Sequence, residues 1–99
     1  MTSGASAPDV VAAAELFKAL SSPLRVTVLR LLSEPHTVGS LVTLTGISQP
    51  LVSQHLRVLR AANLVVVERR GREAIYRVSD EHITHVVEDT ISHARETTG

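Results

Sequence analysis

A mainly α domain carrying one β-hairpin, an α+β fold, is the class this sequence predicts, and three observations predict it. Apolar residues recur at helical spacing in five separate segments, most of them opened by a capping residue or closed by a proline or glycine. Two β-branched runs flank a Gly-Arg pair. The 99 residues suit one core and one domain. With one Phe, one Tyr and no Trp, that core must be made of Leu, Val, Ile and Ala. The absence of cysteine excludes disulfides, thiolate metal sites, iron–sulfur clusters and cysteine nucleophiles.

Residues 1–8, small and polar and closed by Pro8, read as a disordered tail, leaving 9–97 as the folded domain. A first helix is expected from Asp9 to about Leu20, with Val10, Val11, Ala13, Ala14, Phe17 and Leu20 on its apolar side. Ser22 is a natural N-cap and Pro23 suits the first helical position, so a second helix buries Leu24, Val28, Leu31 and Leu32 and stops before Pro35. Thr37 caps a third, which buries Val38, Leu41 and Val42 and ends at Gly46 in the left-handed position. A fourth opens at Ser48, with Ile47 stapled to Val52 and Pro50 in the first turn, and runs to about Ala62 before Asn63. Two helices joined by this glycine-containing turn form a helix-turn-helix. Leu64–Arg70 and Glu73–Val78 follow as strands around a Gly71-Arg72 tip. The last helix, from Ser79 or Asp80 to Glu96, is expected to bury Ile83, Val86, Val87, Ile91 and Ala94.

The formal charge is zero, but its distribution is uneven. Between Arg57 and Arg77 six arginines face two glutamates, a local balance of +4, whereas from Asp80 onward acidic residues and three of the five histidines predominate. On a wheel of the fourth helix, Leu51, Val52, Leu56, Val58 and Leu59 share one side with His55, and Gln49, Pro50, Ser53, Gln54, Arg57 and Arg60 fall opposite. Gln and Ser are suited to base edges in a major groove, and Arg to guanine or phosphate. Arg69, Arg70 and Arg72 at the hairpin tip extend that surface, so helix and hairpin together read as a winged helix that contacts double-stranded DNA.

From Ala12 to Glu96 the chain resembles the ArsR/SmtB family of winged-helix repressors. The likeness is carried by Leu16-Phe-Lys-Ala-Leu-Ser-Ser-Pro-Leu-Arg25, Ser53-Gln-His-Leu-Arg-Val-Leu-Arg60 and Glu68-Arg-Arg-Gly-Arg-Glu-Ala-Ile-Tyr-Arg77. The resemblance implies a homodimer paired through its terminal helices, binding an inverted-repeat operator and, in metal-responsive members, releasing it when metal binds. It also implies a metal site at the third helix in some members, where cysteine is usual; here Thr37 stands there, which rules out a thiolate site for soft ions.

His82 and His93 lie 11 positions apart, sharing a helix edge but separated by about 16 Å along the axis, so one ion cannot reach both within one helix. A second copy of the helix lying antiparallel would bring Asp80 and His82 of one chain to His93 and Glu96 of the other, twice over by two-fold symmetry. Asp80-x-His82 with His93-x-x-Glu96 is also the pattern of the family's zinc sites on the terminal helix. Two nitrogens and two oxygens suit Zn(II), with Co(II) or Ni(II) as the alternatives. A competing set within one helix is His82, His85 and Asp89; His85 is otherwise an extra ligand, and His36 and His55 are expected to be structural or surface residues. His93 is expected to relay coordination to a backbone carbonyl near Asn63, at the end of the recognition helix.

The reading is a metal-responsive, zinc-type transcriptional repressor, cytoplasmic and not an enzyme, whose partners are operator DNA and a second copy of itself. No stretch is long and apolar enough to span a membrane. A winged-helix repressor with a non-metal inducer or none is the alternative, and a metal-dependent hydrolase or metal buffer the alternative from another class. No His-Glu-x-x-His or nucleophile-elbow motif supports the hydrolase.

Overall fold

The computed structural model describes Gly4 and residues 6–98. In chain order the elements are α1 (Ala7–Ala19), α2 (Pro23–Leu31), α3 (Val38–Thr45), α4 (Gln49–Ala61), β1 (Val65–Arg70), β2 (Glu73–Val78) and α5 (Glu81–Thr98). This is the winged helix-turn-helix expected.

Local chemistry accounts for the boundaries. Helix α1 starts two residues before the predicted Asp9, because Ser6 and Asp9 form a reciprocal capping box: Asp9 N–H donates to Ser6 Oγ at 3.3 Å and Ser6 N–H to Asp9 Oδ2 at 2.9 Å. Ala7 and Pro8 therefore belong to the helix, Pro8 in its first turn, where a missing N–H costs no intrahelical bond. The remainder of the predicted tail, residues 1–3 and 5, lies outside the described residues, as does Gly99. Ser22 and Thr37 cap α2 and α3 through their side chains as expected. Ser48 occupies the N-cap of α4 in extended geometry but makes no side-chain cap bond; its carbonyl takes the Val52 N–H at 2.9 Å. At the other end α5 starts one residue after Asp80 and runs two beyond Glu96, its last turn back-bonded by Thr97 and Thr98 hydroxyls to the Ala94 carbonyl.

The core is aliphatic. Val28, Leu29 and Leu32 of and just after α2, Leu41 of α3, and Val52, Leu56 and Leu59 of α4 are almost fully enclosed, with Leu64, Val65, Val78 and Val87 around them. Helix α4 packs across both α2 and α3, which fixes the face it presents outward. Backbone bonds tie the hairpin to the segment after α2, from Val78 N–H to the Leu32 carbonyl and in both directions between Tyr76 and His36, and Ser79 N–H closes the hairpin's base on the Leu64 carbonyl. The terminal helices are covered less. Helix α1 buries only Ala19, with Val10, Val11 and Phe17 exposed by 61%, 61% and 67%. On α5 only Val87 is buried; Ile83 and Ile91 are half-buried, while Val86 and Ala94, expected inside, are exposed because nothing in this chain reaches them. No helix among the described residues is long and apolar enough to cross a membrane.

Candidate nucleic-acid interface and metal-ligand positions

The turn before α4 is set by three residues. Gly46 adopts φ 72°, a left-handed cap that ends α3, and Thr45 Oγ1 donates to the Leu41 carbonyl while accepting the Ile47 N–H. The chain thus re-enters a helix with Val52, His55, Leu56 and Leu59 inward. Gln49, Pro50, Gln54, Arg57 and Arg60 are exposed and Ser53 half-exposed, so the six positions predicted to face DNA do share the outer side of α4.

His55 is the exception on this helix. It is 7% exposed, and neither ring nitrogen has a hydrogen-bond partner. Burial, reinforced by the Arg25 guanidinium nearby, pushes its pKa below the usual imidazole range, so the ring is held neutral. It is a packing residue, unable to touch DNA or metal without leaving the core.

The hairpin sorts its arginines by register. Val65 pairs with Val78, Val67 with Tyr76 and Arg69 with Ala74, and these six side chains occupy one face because cross-strand partners share a face. Arg69 therefore lies on the side of Tyr76 and the core. Arg70 lies on the other side, ion-paired at 3.4 Å with Glu68 of its own strand, both exposed. Gly71 carries the positive φ, 62°, that a two-residue turn of this kind needs at its first central position, and Arg72 stands exposed at the tip. Tyr76, which sequence reasoning did not single out, is held on its second side too: its N–H and carbonyl both pair with His36, at 2.8 and 2.9 Å. The available signal was its place two residues before the buried Val78, on the same face.

Asp80, His82, His93 and Glu96 are all exposed, and none makes a side-chain hydrogen bond or ion pair among the described residues. Asp80 and His82 stand at the head of α5, His93 and Glu96 near its end, so one chain does not bring the two pairs together. No group of three or more ligand-type side chains in one chain is placed to hold an ion, among the described residues, and that includes the competing His82, His85 and Asp89 set. Glu88 is committed elsewhere: Arg30 Nε and Nη2 donate to its two oxygens at 2.7 and 3.0 Å, which holds its carboxyl below the usual range. Two imidazoles and two carboxylates without local partners are a donor set that suits a borderline divalent cation, once a second copy supplies the missing half.

Asn63 follows the end of α4 with φ 61°, and its carbonyl accepts Ser79 Oγ at 2.9 Å. His93 lies 14 residues beyond Ser79, about 21 Å along the helix, so the predicted contact to Asn63 does not form within one chain. Ser79 is the residue that joins the end of α4 to the head of α5, a link between distant positions that no local pattern announces.

Residues 22–67 match the family described as bacterial regulatory protein, arsR family. The chain is 48% identical over 86 residues to the HTH-type transcriptional repressor SmtB of Mycobacterium tuberculosis, covering 86% of this chain and 64% of that protein, so it spans less than two thirds of that relative's length. It is 38% identical over 94 residues to the HTH-type transcriptional regulator NmtR of the same species, covering 90% of this chain and 78% of that one. Among solved structures it is similar to the homodimeric winged helix-turn-helix DNA-binding domain of a possible ArsR-family transcriptional regulator from Mycobacterium bovis. That match has a TM-score of 0.86 at 27% identity and covers 97% of this chain and 90% of that one.

Proposed function

Because the chain belongs to the ArsR family of bacterial regulatory proteins, we propose that it is a DNA-binding transcriptional repressor whose grip on its operator is released by a divalent metal ion. Helix α4 reads the major groove through Gln49, Pro50, Ser53, Gln54, Arg57 and Arg60, and Arg69, Arg70 and Arg72 of the hairpin contact the flanking backbone. Two copies, paired through α1 and α5, meet the two halves of an inverted repeat in the cytoplasm.

Asp80 and His82 of one copy with His93 and Glu96 of the other would hold Zn(II), or Co(II) or Ni(II), and the ion would supply a cross-link between the two terminal helices. The observation that carries this reading is the layout of α5: free ligand pairs at its two ends, with Val86 between the pairs and Ala94 beside His93 left uncovered. The chain's own residues provide the coupling. Any shift of the head of α5 pulls on Ser79, whose hydroxyl holds the Asn63 carbonyl at the end of α4. His93 of the second copy, arriving beside that junction, would complete the relay. Allostery of this kind needs only that the metal prefer one of two α5–α5 geometries.

The test is a titration of the protein–operator complex with Zn(II), Co(II) and Ni(II), followed by fluorescence anisotropy. The wild type binds the duplex and releases it on adding metal, whereas His82→Ala binds equally well and does not release. Release that persists in His82→Ala would remove the metal site, and a wild type indifferent to all three ions would favour a repressor with another inducer or none.

A further inference from the structure

The cleft between α4 and β2 is walled by Ser53, Arg57 and Arg60 on the helix side and Tyr76 on the strand side, over Leu56 and Ala61. Positions 53, 57 and 60 fall within about 60° of one another on the helix wheel, so it is the hairpin-facing flank of α4 that bears both guanidiniums. No carboxylate lines the cleft. Every polar side chain there is a hydrogen-bond donor, two of them permanently charged. Tyr76 is half-buried, and its phenol makes no hydrogen bond among the described residues, although a phenol packed this far into a protein ordinarily finds a partner. Its backbone is paired on both sides, with Val67 and with His36, which fixes the point from which the ring leaves the strand.

We propose that this cleft is a phosphate clamp: one phosphate of the DNA backbone sits between recognition helix and wing, accepting from Tyr76 Oη and from the Arg57 and Arg60 guanidiniums. This rests on the DNA-binding reading above and sharpens it. Arg57 and Arg60 become backbone contacts, base reading passes to Gln49, Pro50 and Gln54, and the phosphate fixes the angle between helix and hairpin. A tetrahedral anion with several acceptor oxygens is the chemistry that two guanidiniums and a phenol O–H, with no carboxylate beside them, recognise. The backbone of a duplex is where such a group stands when a helix lies in the groove beside it.

The experiment measures operator affinity with duplexes in which single phosphates are replaced by neutral methylphosphonates, using wild type and Tyr76→Phe. Tyr76→Phe melts at the wild-type temperature, which shows that the hydroxyl does not hold the fold. It binds the unmodified duplex roughly tenfold more weakly, as loss of one hydrogen bond to a charged group requires. At one phosphate per half-site its loss and that of the methylphosphonate are less than additive, and at every other position they add. Arg60→Gln shows the same coupling and lowers the salt slope by about one. Additivity at every phosphate would overturn the clamp while leaving DNA binding intact, whereas failure of the wild type to bind any duplex would overturn both. Inorganic phosphate at constant ionic strength leaves the emission of Tyr76, the single tyrosine in a chain without tryptophan, unchanged. A saturable change would assign the cleft to a free anion instead.

Discussion

At position 55 helix α4 turns into the core an imidazole that has no hydrogen-bond partner for either nitrogen among the described residues. Its pKa is lowered by burial and then by Arg25, so the folded chain excludes a proton that the unfolded chain accepts at about pH 6.5. The sign follows: stability is full above that pH and falls as pH drops from about 6.5 toward the lower folded pKa, by up to about 1.4 kcal/mol per unit. Urea denaturation at pH 7.5 and 5.5 should show this loss in the wild type and a smaller one in His55→Leu, which is also expected to be at least as stable at pH 7.5 because it removes two unsatisfied buried atoms. Equal pH dependence in both proteins would mean that His55 is hydrated. A few positions away the physics is simpler. Leu59 is fully enclosed, and Leu59→Ala should cost about 2–5 kcal/mol by leaving a cavity where α4 meets the core, measured by the same denaturation. Periodicity placed both residues on the apolar side of α4; it could not show that the imidazole would be sealed in without a partner, because that depends on what α2 places opposite.

Each element does what its own stretch of sequence dictates until a distant part of the chain, or its absence, intervenes. Thr37, Gly46, Gly71 and Pro23 act within a few residues of themselves, and the elements they bound lie where local chemistry puts them. Pro8 reads in the sequence as the end of a tail, because a proline in a first turn and a proline closing a tail look alike; the Ser6–Asp9 pairing distinguishes them. Val86 and Ala94 follow the helical period of α5 yet stay exposed, since periodicity identifies an apolar stripe without saying what covers it. Helix and wing should separate in their effects on DNA. Gln54→Ala should shift sequence preference, with about 1–3 kcal/mol less discrimination at one base pair, whereas Arg72→Ala should weaken binding nearly uniformly and lower the salt slope by about one. Binding to a panel of operator variants at two salt concentrations checks both, and equal uniform losses would remove α4 as the reading element.

The whole molecule is less compact than its length allows. Its radius of gyration is 14.8 Å, against about 13 Å expected for a compact domain of this size, and its terminal helices leave apolar side chains uncovered. A second copy seated on α1 and α5 would enclose Val10, Val11, Phe17 and Val86, a sizeable apolar patch for so short a chain. Phe17→Glu should therefore convert a dimer into a monomer in sedimentation while leaving the separate core of α2–α4 folded. DNA affinity should fall with it, because one half-site contact is lost. The same pairing is the premise of the proposed metal site, since it alone would supply four donors to one ion.

That premise is tested most directly by mixing two defective chains. A variant with Asp80→Ala and His82→Ala and another with His93→Ala and Glu96→Ala each lack half of every proposed site, so neither alone should bind Zn(II) tightly. Combined, unfolded and refolded together, they should form heterodimers in which one site is complete and regains the wild-type affinity. A mixture that binds no better than its components, or a single variant that retains full Zn(II) binding, would show that the ion is not shared between two chains.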